Sequence, residues 1–169
     1  YGGSGTRQSV DVGLEADLTW IKCTSHSGSD WYVVDSVRGS AQQLIFNSTA
    51  VQSQNATNGV YLGGRGSKKI SIGTIGDVNS SGYHYTAYSW KAGGSQGVYN
   101  VDGTGYATTS ALNSATGIDL TTGQVTPTGI SINTKAGLSI VGYTATGSIN
   151  SVAHGLSMVD GSSANAPRD

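Results

Sequence analysis

Charge is scarce in this chain. Aspartate, glutamate, lysine and arginine make up 11% of it, against roughly 25% in ordinary soluble domains. Ten acids against nine bases leave a net charge of −1, so nothing steers the surface toward nucleic acid or an anionic membrane. The one basic cluster, Arg65-Gly66-Ser67-Lys68-Lys69, reads as a solvated loop. A single cysteine, Cys23, excludes an intramolecular disulfide. Its place in the run Leu18-Thr19-Trp20-Ile21-Lys22-Cys23 reads as a buried or half-buried free thiol. No apolar stretch approaches the ~20 residues that span a bilayer. Neither a Met nor a signal-peptide pattern marks the opening Tyr1-Gly2-Gly3, which reads as part of something longer.

Glycine, by contrast, is abundant at 26 residues, and nine Tyr and three Trp supply the apolar area a thin core needs. A chain of 169 residues buries about 70% of its unfolded surface, so a core is affordable without staples. The dominant pattern is apolar alternation with a period of two, broken by turn residues every ten positions or so. Strands are predicted over 8–12, 18–23, 31–36, 43–46, 60–62, 69–72, 83–91, 97–101, 130–132, 139–144 and 148–152. The best helix candidate is 36–44, weakened by Gly39. Many short strands at regular spacing predict an all-β fold, an antiparallel β-sandwich with an extended C-terminal segment.

The stretch 83–91 carries aromatics on both faces, which predicts a central strand covered on both sides. Trp20, Trp31, Tyr85, Tyr88 and Trp90 are expected to cluster, with Trp20 and Trp90 mostly buried. The expected organisation is a sandwich domain over 1–105, a Thr/Gly-rich linker or arm over 106–131, and a further segment over 132–169. That last segment reads as the start of a second copy or a swapped β segment. Residues 1–14 align without gaps to 143–156, with identities at Tyr1/Tyr143, Gly5/Gly147, Ser9/Ser151, Val10/Val152, Gly13/Gly155 and Leu14/Leu156. A strand pattern without a full domain around it is expected to pair outside its own copy's sheet, with the preceding domain or with a neighbouring subunit, which favours a homo-oligomer over a monomer.

Catalysis needs a nucleophile with a base, paired carboxylates or a metal cluster. His26, His84 and His154 lie in unrelated contexts without ligand-like spacing, and Glu15 with Asp17 reads as a solvated turn. No Gly-x-Ser-x-Gly elbow occurs between a strand and a helix. The chain therefore reads as non-enzymatic, with no catalytic residue, cofactor or metal.

Three segments stand out in order: Trp20-Ile21-Lys22, then Trp31-Tyr32-Val33-Val34-Asp35-Ser36-Val37-Arg38-Gly39, then Tyr85-Thr86-Ala87-Tyr88-Ser89-Trp90-Lys91-Ala92-Gly93-Gly94. Asp35 and Arg38 bracket a tight turn and are placed to pair with each other or with its backbone. Lys22 and Lys91 follow tryptophans at strand ends, where an ammonium reaches water. A structural reading of Trp20, Lys22, Trp31, Asp35, Arg38, Tyr85, Trp90 and Lys91 is favoured over ligand contact.

These segments resemble a domain of phage tail-fibre and other virion proteins, marked by Trp-Ile-Lys, Asp-Ser-Val-Arg-Gly and Tyr-x-x-x-x-Trp-Lys-Ala-Gly-Gly. Ala136-Gly137-Leu138-Ser139-Ile140-Val141-Gly142-Tyr143 and His154-Gly155-Leu156 are similar to its closing motifs, with Leu138 where the family has Phe. Ala16-Asp17 stands where it usually has Pro-Asp. The resemblance implies a concanavalin- or laminin-G-like jelly roll of carbohydrate-binding ancestry. It also implies a virion surface module of a tail fibre, spike or capsid exterior. The expected partners are other virion subunits and a host-surface carbohydrate. A glycan-processing tail enzyme or a bacterial lectin-like module is the alternative. The resemblance carries over no catalytic residues.

Overall fold

The computed structural model describes residues 1–55, 57–122 and 125–156. The chain divides into two compact units, Tyr1–Lys91 and a second that begins at Ala92. Both are built mainly of antiparallel β-strands, so the protein is all-β.

The first unit contains β1 (Gln8–Asp11), β2 (Leu18–Cys23), β3 (Tyr32–Asp35), β4 (Gln42–Ile45), β5 (Ser53–Gln54), β6 (Val60–Tyr61), β7 (Lys69–Ile72), a single-turn helix α1 (Gly76–Asn79) and β8 (Tyr85–Trp90). The strands form a five-stranded sheet of order β5-β4-β3-β2-β8 and a three-stranded sheet of order β1-β7-β6. Every pairing in them is antiparallel. One core joins the two sheets: Ile21, Cys23, Val34 and Tyr85 from the larger pack with Val60, Ile70 and Ile72 from the smaller. In β2 the alternation of the sequence becomes alternation of burial. Thr19, Ile21 and Cys23 turn inward while Leu18, Trp20 and Lys22 turn outward.

Asn79, fully buried, ties the loop before β1 to this core. Its Nδ2 donates to the carbonyls of Thr6 and Gly73, both at 2.6 Å, and its Oδ1 accepts from the Ser4 amide at 2.9 Å. A buried amide is tolerated because all of these groups satisfy one another.

The second unit contains β9 (Tyr99–Val101), β10 (Thr104–Tyr106), α2 (Thr109–Thr116), β11 (Gly129–Asn133) and β12 (Leu138–Gly142). Its sheet has the order β10-β9-β11-β12, with β9 and β11 parallel and the other pairs antiparallel. Val101, Leu112, Leu120, Ile130 and Ile132 form its core. Gly93 lies flat against this sheet, where a Cβ would stand 2.5 Å from the carbonyl of Asn100 and from the amide and carbonyl of Ile132. Ser131 Oγ completes the contact, accepting from Gly93 N and donating to Gly94 O at 2.9 Å each.

Several expectations are corrected. The predicted helix over 36–44 is a turn followed by β4, and Gly39 takes a left-handed φ of 116° that a helix cannot hold. The predicted central strand over 83–91 is β8, which lies at the edge of its sheet. The stretch 106–131, expected as a linker or arm, holds α2 and sets Leu112 and Leu120 into the second core at zero exposure. Thr108 caps α2 by accepting from Ala111 N at 3.1 Å, and Gly117 ends it with a φ of 75°. No strand forms over 148–152; Val152 makes one parallel bridge to Val125. The end of the expected C-terminal segment, residues 157–169, lies outside the described residues.

The internal repeat has a backbone counterpart. Gly5 and Gly147 have φ of 70° and 76°, and Gly13 and Gly155 have 77° and 69°. Both glycine pairs of the alignment thus occupy the left-handed region, which a side-chain-bearing residue enters only with strain.

Candidate ligand-binding face

The outer face of the five-stranded sheet is built by register. Trp20 on β2 lies opposite Tyr88 on β8 and Val33 on β3, and Val33 lies opposite Leu44 on β4. Leu18 lies opposite Trp90 and Asp35, and Lys22 opposite Thr86. Trp31 and Phe46 flank β3 and β4 and are joined by Phe46 N donating to Trp31 O at 3.0 Å. Because side chains alternate along each strand, these residues share one side of the sheet.

The result is an array of rings. Trp20 sits at its centre, with centroids 5.0 Å from Trp31, 5.3 Å from Phe46 and 6.4 Å from Tyr88, and Tyr88 lies 6.4 Å from Trp90. Such offset and tilted arrangements are those aromatic quadrupoles favour. Beneath them Val33 is 3% exposed, whereas Trp31, Phe46, Tyr88 and Trp90 are 36%, 55%, 53% and 38% exposed. Four large exposed rings in one array are a feature that soluble surfaces rarely carry without use.

Polar groups border the array. Lys22 Nζ donates to Ser29 O at 2.5 Å and lies 5.1 Å from the centroid of the Trp31 ring, within cation–π range. Beside Trp31, Asn47 Oδ1 accepts from its amide at 3.0 Å and Asn47 Nδ2 donates to Asp30 Oδ1 at 2.8 Å. On the opposite face of β3, burial and the negative charges of Asp77 and Asp30 push the Tyr32 hydroxyl up to about 12.

Asp35 and Arg38 close the turn after β3. Asp35 Oδ1 accepts from the amides of Val37 and Arg38 at 3.0 and 2.8 Å, and its Oδ2 accepts from Arg38 Nε at 2.6 Å. The turn is therefore clamped by a carboxylate that receives two backbone donors and one guanidinium donor. Lys91 lies beyond β8 and meets Glu15 at 3.6 Å, both partly exposed.

The sequence-predicted residues thus separate. Trp20, Lys22, Trp31 and Trp90 come together on the outer face, Asp35 and Arg38 hold its adjoining turn, and Lys91 stands past its edge. Tyr85 is elsewhere, buried on the inner face and stacked on Tyr1 at 5.2 Å. Trp90, expected to be mostly buried, is exposed, because β8 is an edge strand with one uncovered face. Phe46 was not foreseen as part of the site. Its signal was faint: the last apolar residue of a short strand run, before Asn47.

No group of three His, Cys, Asp or Glu side chains among the described residues is arranged to hold a metal ion. His26 instead stacks on Tyr83 at 4.7 Å, and His154 Nδ1 accepts from the Leu156 amide at 3.1 Å.

A family model described as Domain of unknown function (DUF7483) matches residues 1–122 of the 169. The chain belongs to this family. The DUF7483 match contains the whole aromatic face and its Asp35–Arg38 turn, and runs on through α2. No curated protein and no solved structure matches the chain.

Proposed function

We propose that this DUF7483 protein is a non-enzymatic adhesive module of a virion surface and that it lays a carbohydrate against the aromatic face of its first unit. The single observation that supports this most is the array of four exposed rings around Trp20, with Asn47, Asp30 and Lys22 at its border. A sugar ring offers an apolar C–H face for stacking and hydroxyls for border amides and charges, and flat aromatic surfaces with a few placed polar groups suit both. The placement on a virion, in a tail fibre, spike or capsid exterior, rests on the motif resemblance, as does a concanavalin-like jelly-roll ancestry.

The test is retention on an array of bacterial surface polysaccharides, comparing the 169-residue chain with the double variant Trp31→Ala/Trp90→Ala. Each aromatic contact contributes about 0.5–1.5 kcal/mol beyond its area, so the pair should weaken binding by roughly 5- to 150-fold. Equal retention of the double variant, or retention of no polysaccharide by the parent, would overturn the reading. Release of reducing ends from a retained glycan would overturn its non-enzymatic part.

A further inference from the structure

We propose that the glycan laid on the aromatic face is acidic, and that a carboxylate borne on one of its sugar rings binds Lys22 Nζ beside Trp31. The inference rests on the carbohydrate reading and adds to it the charge class of the ligand.

The other cations near this face are neutralised within the protein. Arg38 Nε meets Asp35 Oδ2 at 2.6 Å, and Lys91 Nζ meets Glu15 Oε2 at 3.6 Å. Lys22 differs. Among the described residues no carboxylate pairs with its ammonium. What Nζ has is a carbonyl, Ser29 O at 2.5 Å, and the Trp31 ring with its centroid at 5.1 Å. Neither cancels a full positive charge. An ammonium carries three donors, so two remain for solvent or a ligand, and Lys22 is only partly buried.

A lysine at a strand end is expected to reach freely into water, yet this ammonium is held in place. Ser29, which receives it, is 5% exposed. The Ser29 hydroxyl lies 3.3 Å from His26 Nδ1, and the His26 ring stacks on Tyr83 at 4.7 Å. The loop that fixes Lys22 is therefore itself packed. A long side chain ordered at folding has less freedom left to lose when a ligand binds, which favours its use as a contact.

Register fixes the surroundings. Ile21 lies opposite Tyr32, which sets Lys22 beside Trp31 on the β2 side. β4 lies on the other side of β3, and the bond from Phe46 N to Trp31 O brings Asn47 there. Asn47 Nδ2 donates to Asp30 Oδ1, while Asp30 Oδ2 accepts from no described group. Trp31 thus has a cation on one side and an open acceptor on the other. A sugar on these rings is oriented by the pair: its anionic group goes to Lys22 and its hydroxyls donate toward Asp30, since the reverse would oppose two carboxylates. A sugar ring that bears a carboxylate also bears hydroxyls, so one residue can meet both groups. A neutral sugar would cover the Lys22 charge without matching it, and a desolvated unmatched charge opposes binding.

The test is titration calorimetry of the 169-residue chain with tetragalacturonate and with its fully methyl-esterified form, which differ in charge but not in sugar backbone. The parent should prefer the acid by roughly five- to tenfold, the discrimination expected of one partly exposed charge contact. Added salt should narrow that preference. Lys22→Gln keeps a donor for Ser29 O but loses the charge, and should bind the two forms equally; Lys22→Arg should restore the preference. Far-UV circular dichroism checks folding, and the preference of the parent and its salt dependence stand without any variant. Equal binding of both forms by the parent overturns the acidic ligand and leaves the carbohydrate reading intact. A preference that survives in Lys22→Gln overturns the assignment to Lys22. Binding of neither form overturns the proposal as well, and retention on the polysaccharide array then decides separately whether the carbohydrate reading falls.

Discussion

Replacing Asp35 with alanine removes one carboxylate and three hydrogen bonds, from Val37 N, Arg38 N and Arg38 Nε. Asp35 is 5% exposed, and its loss leaves the partly buried Arg38 guanidinium without its counter-charge. Breaking a buried pair by deleting one partner costs about 3–5 kcal/mol. For a unit of this size each kcal/mol moves the melting midpoint by about 4–8 °C, so Asp35→Ala should lower it by roughly 12–40 °C. Asp35→Asn keeps an acceptor for the turn amides and loses only the charge, and should fall between the two. The assay is thermal unfolding followed by tryptophan emission, because all three tryptophans lie in the first unit. A midpoint for Asp35→Ala within about 3 °C of the parent would refute the clamp, since even 1 kcal/mol moves it further. Unchanged stability with lost glycan retention would instead reassign Asp35 to the binding face.

Leu112→Ala should cost about 2–5 kcal/mol, as for other fully buried leucines; amide hydrogen exchange should show faster opening of β9 and β11, and unchanged protection there would return 106–131 to the status of a linker. The Asp119 carboxyl is held at about 2 because the amide of Thr121, and then the side chain and amide of Thr122, donate to it. A carboxylate held below its ordinary 3.8 contributes stability that is complete above that value and is lost as pH falls through about 2. Carbon-13 NMR titration of its carboxyl should give a midpoint near 2, and one near 3.8 would contradict the loop geometry.

Alternation carried the sequence reading where strands are long enough to show it. Over β2 and β7 the expected and observed bounds coincide, because four to six alternating residues stand between turn signals. Alternation says which residues share a face but not whether anything covers that face. That is why Tyr85 fits a core and Trp90, five residues on, was wrongly expected to be buried. Helix α2 escaped notice because only Leu112 of its eight residues is fully buried, so no apolar stripe exists. The caps Thr108 and Gly117 were its legible signal. β5 and β10 are two and three residues long, too short for periodicity, and the parallel pairing of β9 with β11 depends on partners distant in sequence. For the candidate site, Trp20, Trp31 and Trp90 were legible as a group, but as core, and Lys22 as a lysine reaching water at a strand end. The exposure of Trp31 and Trp90 is a tertiary property.

The most direct measurement of the central claim uses the tryptophans themselves. Trp20, Trp31 and Trp90 are the chain's three tryptophans, and all belong to the outer face. Titrating a polysaccharide retained on the array should shift their emission to shorter wavelength and protect them from acrylamide quenching, with both changes saturating at the affinity found on the array. Saturable binding of that polysaccharide with unchanged emission and unchanged quenching would place the contact elsewhere and contradict the account.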